Sequence, residues 1–562
     1  MKYISILLSI TLLSLVACSV EPADMVICQG QIYTVNPNMP TAEAVAVSNG
    51  RIVYVGKKDQ AKRFIGKETE VIDLQGKTMV PGLIESHAHL LNLGNFKRNL
   101  DLTTIESYDD MVNMVEEAAQ KADKGEWILG RGWHQSKWSK MPEKIVKGYQ
   151  VHDKLSAVSP DNPVMLTHAS GHAIFANAKA MEIAGINSAS SVGEGGEVIR
   201  DANGNPTGVF TENAENLIAE HVPESTPKSI RKDLEAAIEE CLKNGITSFQ
   251  DAGSNADGIA AYKDFVQAGK MPIRLWIMLS GGDSLLLEDW YPRGPERSDF
   301  LTIGGIKLYS DGALGSRGAW LLEEYSDRKG HMGNPVTPIE KIATIALEGL
   351  EHGFQVCTHA IGDRANREVL DAYQAAFEAF PEKSHDHRFR IEHAQHVHPN
   401  DIPRFADMGV IPSMQAIHMS SDRPWAIDRL GIIRIQKSAY MWKTFIESGA
   451  HLINGTDAPV EPINPIACFF ASVSRKTLKG MPNGGYEPDQ KMTREQALRS
   501  YTIEAAYGAF QEKEKGSIEI GKMADFTVFS QNIMNIPEDQ ILNTEVVMTI
   551  VDGKVRFKKT VE

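Results

Sequence analysis

Short apolar runs punctuated by turn residues dominate both ends of the chain. In the middle, such runs alternate with longer stretches of helical period. Near the start lie Val26-Ile27, Glu43-Ala44-Val45-Ala46-Val47 and Arg51-Ile52-Val53-Tyr54-Val55, the last two separated by Asn49-Gly50. Asn-Gly between two strand-like runs predicts a tight hairpin, because both residues tolerate positive φ. Near the end, Ala524-Asp525-Phe526-Thr527-Val528-Phe529 and Val546 to Val551 read as strands, and Asp552-Gly553 turns the chain into Lys554-Val555-Arg556-Phe557. A lone hairpin buries too little to stand by itself. Residues 25–78 and 516–558 are therefore expected to combine as one small β-sandwich beside a central domain spanning 79–515.

Strand-then-helix alternation in that central domain predicts a parallel α/β fold. The candidate strands are Met79 to Ile84, Ile246 to Gln250, Ile273 to Met278, Gly305 to Tyr309, Gln355 to Thr358, Phe389 to Glu392, Val410 to Met414 and His451 to Asn454. Eight such units suit a (β/α)8 TIM barrel. The stretch 100–235 is far longer than a normal connection between barrel strands, and reads as a subdomain inserted after the first one.

The first residues follow a different pattern. Met1-Lys2 is followed by an apolar run from Ile4 to Val16, too short to span a bilayer, ending in Leu15-Val16-Ala17-Cys18. This resembles a bacterial lipobox, with residues 1–18 a lipoprotein-type signal peptide, cleaved before Cys18, which is then lipidated. A plain secretory signal with an incidental cysteine is the alternative. By the same resemblance Ser19, where aspartate is absent, favours the periplasmic side of the outer membrane. The chain is thus expected to be exported and held to the membrane only by a lipid anchor.

Composition narrows the partners. The 562 residues are 42% hydrophobic and 23% charged, ordinary for a globular protein, with a formal net charge of -15. That charge disfavours nucleic acid and anionic lipid surfaces. Cys28, Cys241, Cys357 and Cys468 are too scattered for a disulfide framework or a cysteine-based metal site.

The chemistry stands at the strand ends. The first strand runs into His87-Ala88-His89, and residues two apart in extended chain face the same way, so both imidazoles can reach one metal. Later strands end in Thr358-His359, Glu392-His393 and Asn454-Gly455-Thr456-Asp457. A barrel opens all these C-terminal ends on one face, where four histidines and an aspartate make a zinc-type site. Bound zinc brings the pKa of water from 15.7 to about 7, so that a nucleophile is available near neutrality.

Taken together, these stretches resemble the amidohydrolase superfamily, in the branch of N-substituted formamide deformylase. The resemblance is carried by Val80-Pro81-Gly82-Leu83-Ile84 with His87-Ala88-His89, and by Trp127 to Trp133. It continues through Ser170-Gly171-His172, Lys307 with Asp311 to Arg317, His359 to Asp363 and Arg390 to Gln395. Ser413-Met414-Gln415 and Thr456 to Val460 complete it. Glu85-Ser86 departs from it, since many relatives carry an aspartate before the first histidine.

The resemblance implies that His87 and His89 bind the more buried metal. It implies that His359 and His393 bind a second one, or that one of them orients substrate. Asp457 would be both ligand and proton shuttle. Lys307 would be a carbamylated bridge between two zinc ions, or else an ordinary salt-bridged lysine beside one. Trp133, His172, Asp311, Arg317, Gln415 and His418 are candidate substrate contacts, and Asp457 and His393 the candidate catalytic pair. The implied reaction is hydrolysis of a non-peptide carbon–nitrogen bond in a small linear N-acyl or N-formyl amide. A deaminase or cyclic-amide hydrolase on the same scaffold, or a lipid-anchored binding protein without turnover, are the competing readings. A homodimer is compatible with all three.

Overall fold

A computed structural model of the chain describes residues 21–560 apart from 103, 136–137, 169–172, 191–195, 224–225 and 316. The signal segment, including Cys18, and the candidate contact His172 lie outside the described residues.

Eight parallel strands form the central sheet: β1 (Leu83–Ala88), β2 (Ile246–Ser254), β3 (Arg274–Ser280), β4 (Leu301–Tyr309), β5 (Gln355–Ala360), β6 (Arg390–His393), β7 (Ile411–Met414) and β8 (Ile453–Asn454). They pair in that order. The ring closes just past β8, where Asp457 N–H donates to His87 O at 2.7 Å and His89 N–H donates to Ala458 O at 2.8 Å. Helices such as Ile339–His352 and Asp363–Ala379 cover the outside with apolar faces, including Ile342, Ile345, Val369 and Leu370. The fold is the expected (β/α)8 barrel, and each of the eight predicted strand regions carries a strand.

The first predicted strand is in fact two. Thr78–Pro81 pairs with Phe526–Phe529 of the terminal sheet, and only after Gly82 does the chain enter β1. A side chain at Gly82 would put its Cβ 2.2 Å from Thr247 Oγ1, so the sharp transfer between sheets needs glycine there. The N- and C-terminal segments do combine, through this pairing, in an eight-stranded sheet with seven strands on one path and Glu70–Asp73 branching from Met25–Tyr33. Both predicted turns are present: Asn49-Gly50 and Asp552-Gly553 hold positive φ and join antiparallel strands.

The insertion builds its own six-stranded sheet, from Leu100–Asp101 through Pro206–Glu212, over a separate core of Trp133, Trp138, Tyr108 and Phe175. Its expected end at 235 is too late. The helix Pro227–Lys243 sends Leu234, Ala237, Ile238 and Leu242 into the barrel's core, because it is the helix that leads into β2. At the barrel's opposite end the segment after Ser500 acts as a plug: Gln250 Nε2 donates to Ala505 O and Gln355 Nε2 to Gly508 O, each at 2.9 Å. The four described cysteines are all buried free thiols. No helix among the described residues is long and apolar enough to cross a membrane.

Candidate metal centre

β1 delivers His87 to the open end of the barrel, and a buried network fixes its ring. His87 Nδ1 lies 2.5 Å from Glu392 Oε2. Glu392 Oε1 in turn lies 2.7 Å from Arg390 Nε. Arg390 is fully buried, donating to Gln250 Oε1, the Ser86 carbonyl and Ser413 Oγ at 2.6 to 3.1 Å. Burial by itself would raise the Glu392 pKa, but the Arg390 guanidinium and His87 hold it below the usual carboxylate range. With a carboxylate accepting from Nδ1–H, His87 presents the lone pair of Nε2 to the mouth.

β6 poses a geometric problem, since Glu392 and His393 are adjacent and a regular strand would send them to opposite faces. The backbone solves it by turning left-handed: His393 has φ 73° and Ala394 has φ 40°. Asp457, just past β8, has φ 61°. Non-glycine residues in this region cost about 1 kcal/mol or more, and such strain gathers at functional sites. His393 Nδ1 then meets Gln415 Oε1 at 2.7 Å, which leaves its Nε2 free as well. Burial, followed by the nearby His359 and His87, keeps His393 well below the ordinary histidine range, and burial takes His359 down to about 3. Both are neutral imidazoles near neutrality, the form that ligates metal.

His87, His393 and Asp457 offer ligand atoms that all lie within 4.8 Å of one another. His89 Nε2 adds a donor 3.3 Å from Asp457 Oδ1, and the His359 ring sits 4.4 Å from that of His393. Lys307 Nζ is 3.5 Å from His87 Nε2. All six residues proposed from the strand ends therefore meet at one place. The donor set fits a divalent ion. His359 Nε2 and Asp457 Oδ1 are buried without a hydrogen-bond partner, which is costly unless something else occupies them.

Glu85, two residues before His87, holds the closure together. Its carboxylate accepts from the His87 and Thr456 backbone N–H groups and from Thr456 Oγ1 at 2.8 to 3.1 Å. Burial raises its pKa to about 8. A side chain at Gly455 would fall 2.3 Å from this carboxylate, so the tight packing of β8 against β1 depends on glycine.

The predicted substrate contacts fare unevenly. His418 lines the cavity beside the candidate metal ligands. Gln415 is buried behind His393 and orients it. Asp311 is also buried: its two oxygens accept from Ile361, Gly362 and Trp320 N–H groups, so it knits loops together, with Oδ1 3.5 Å from His359 Nε2. Arg317 is tied to Asp327 at 2.8 Å and is not part of the cavity wall. Trp133 is fully buried in the insertion's core, its indole donating to Leu166 O. For Asp311, Arg317 and Gln415 the cause is the same: proximity in sequence to a strand end does not say which way a side chain turns; Trp133 instead ends the strand Ile128–Trp133 and packs into the insertion's core.

The cavity, of about 390 Å³, opens from the histidines between Tyr309, Leu314, Ile361, Trp425 and Val460. None of these was singled out from sequence, nor was Glu392 given a role, although it stands next to His393 in a quoted stretch. Adjacency to a ligand was the available signal for Glu392; Leu314, Ile361 and Val460 stand within the motifs that carry the ligands, whereas Trp425 carried no signal.

A barrel with this mouth is the architecture of metal-dependent hydrolases, and the chain belongs to the Amidohydrolase family, whose sequence profile matches residues 70–557. Among its relatives is the Arabidopsis thaliana protein LONG AFTER FAR-RED 3, 34% identical over 95% of this chain and 91% of that protein. The N-substituted formamide deformylase of Arthrobacter pascens is 29% identical, covering 96% and 99% of the two chains. A crystal structure of a metal-dependent hydrolase from Pyrococcus furiosus superposes with a TM-score of 0.73 at 27% identity, covering 91% of this chain and all of that one.

Proposed function

We propose that this protein hydrolyses a linear amide, of the N-acyl or N-formyl kind, in an exported and lipid-anchored form. The observation that carries the hydrolase reading is the convergence of His87, His393 and Asp457 within 4.8 Å, at the head of a cavity large enough for a small molecule. Likeness to a formamide deformylase over nearly the whole chain supports the linear amide over cyclic substrates.

His87, His89, His359, His393 and Asp457 would hold zinc, one ion or two. When bound, zinc polarises a carbonyl and makes water a competent nucleophile near neutrality. Asp457 stands between His87 Nε2 and His89 Nε2, with His418 Nε2 3.7 Å from its other oxygen. From there it can take a proton from the attacking water and pass it to the leaving nitrogen. Gln415 and Glu392 hold two imidazoles in a fixed tautomer throughout. Lys307 is fully buried and has no carboxylate within ion-pair distance among the described residues. Carbamylation would replace an unpaired cation facing His87 with an anionic donor, which supports the two-metal form.

The test is to assay purified protein for metal content and then to screen linear amides against cyclic imides and aminopurines. Turnover of linear amides without ammonia release from aminopurines is expected. A metal-free protein with no turnover of any class would instead favour the binding-protein reading.

A further inference from the structure

The cavity that holds the candidate metal ligands also carries two acids that the hydrolytic reaction does not use. Asp422 is the seventh residue of the kinked helix Ala416–Ser438, and Glu461 lies in the segment after β8; both line the cavity. Neither makes an ion pair among the described residues. Asp422 meets only Gln395 Nε2, at 3.4 Å, and its neighbour Ser421. The nearby cations are engaged elsewhere: Arg423 with Glu487 at 2.6 Å, and Arg317 and Arg429 with Asp327. Lys307 is the only lysine or arginine among the described lining residues, and it is buried beside the histidines.

A second observation points to a ligand at this wall. His418 is nine-tenths buried, and its Nε2, without a hydrogen-bond partner, faces the same cavity 3.7 Å from Asp457 Oδ2. The rest of the lining, Tyr309, Leu314, Ile361 and Trp425, is apolar or aromatic. Two half-buried carboxylates with no lysine or arginine partner among the described residues, in the cavity of a hydrolytic centre, call for a positive group on the bound molecule.

We propose that the pocket selects amides whose apolar arm ends in a protonated amine, with Asp422 and Glu461 receiving the ammonium and Trp425 flanking it. A mono-acylated alkyl diamine is the simplest member of this class. Water adds to its carbonyl carbon, the carbon–nitrogen bond breaks, and the proton from water goes to the leaving nitrogen. The products are a carboxylic acid and a diamine. The substrate class rests on the hydrolase reading, whereas the ammonium site can be tested without turnover.

Calorimetric titration of the metal-loaded full chain with hexylamine and with hexanol isolates the charge. We expect hexylamine to bind about tenfold more tightly. In the isosteric double variant Asp422→Asn, Glu461→Gln that ratio should fall to about twofold or less, with melting temperature and metal content retained. Equal binding of the two probes, or a ratio the double variant leaves intact, overturns the proposal. Hydrolysis of mono-formylated hexamethylenediamine against formylated hexylamine then reads the substrate class, and about a tenfold advantage in kcat/KM is expected. If neither amide is hydrolysed while the binding ratio holds, the hydrolase reading fails and the ammonium site stands.

Discussion

His87 and Glu392, 305 positions apart, meet at 2.5 Å in the sealed interior of the barrel, and Arg390 closes the contact from the other side of the carboxylate. The imidazole that leads the metal centre is thereby oriented by a charge that never reaches solvent.

Replacing that charge tests its role. Glu392→Gln leaves Arg390 buried without its counter-ion, and such a loss typically costs about 3–5 kcal/mol. Weakened orientation of His87 should also lower metal affinity by about 10- to 100-fold. Urea unfolding and chelator competition measure the two effects separately. A variant with wild-type metal affinity would show that His87 needs no such partner.

Asp457→Asn keeps the shape of the side chain but removes its capacity to carry a proton. Turnover of the best amide is expected to drop by about 10²- to 10⁴-fold, the usual worth of a general acid–base group. Metal analysis of the same preparation separates loss of the proton shuttle from loss of a ligand. Undiminished turnover would remove Asp457 from the proposed mechanism.

Lys307 is expected to take up carbon dioxide when the centre is loaded. Protein prepared with isotope-labelled bicarbonate should show a single carbamate carbon by nuclear magnetic resonance, absent in Lys307→Ala. An unlabelled wild-type protein holding one metal would assign Lys307 to the unmodified alternative.

At the far end of the barrel Lys515 is buried, donating to Ser248 Oγ at 2.7 Å, and burial followed by the nearby Arg274 brings its pKa down to about 7. Folded and unfolded chains are both protonated here below pH 7, where the folded state bears the full cost of the buried ammonium. Between about 7 and the ordinary value of 10.5 only the unfolded chain keeps the proton, so this contribution to stability rises with pH. Lys515→Met should therefore stabilise the protein below pH 7, by an amount on the order of a few kcal/mol less the lost hydrogen bond. The gain should shrink steadily toward pH 10.5. Melting curves across that range check it, and a gain independent of pH would contradict the assignment.

Export can be tested at Cys18. The wild-type chain expressed in a bacterium should fractionate with membranes, and Cys18→Ser should be released into the soluble exported fraction. Membrane retention of the variant would argue against a lipid anchor at that residue.

The one-dimensional pattern carried the barrel and the placement of its candidate ligands. Strands of period two separated by helical stretches can bury their apolar faces in few ways, and a ligand at the C-terminal end of a parallel strand must open on the barrel's common face. His87, His89, His359, His393 and Asp457 were legible for that reason, as were the two glycine turns. Only the tertiary structure decided what lies behind and around them. The pairing of Glu392 with His87, the passing of the chain between two sheets at Gly82, the turning inward of Trp133 and Asp311, and the acidic wall of Asp422 and Glu461 all depend on contacts between distant segments. Side-chain direction in loops and at left-handed residues follows no fixed period, so such contacts leave little trace in the order of residues alone.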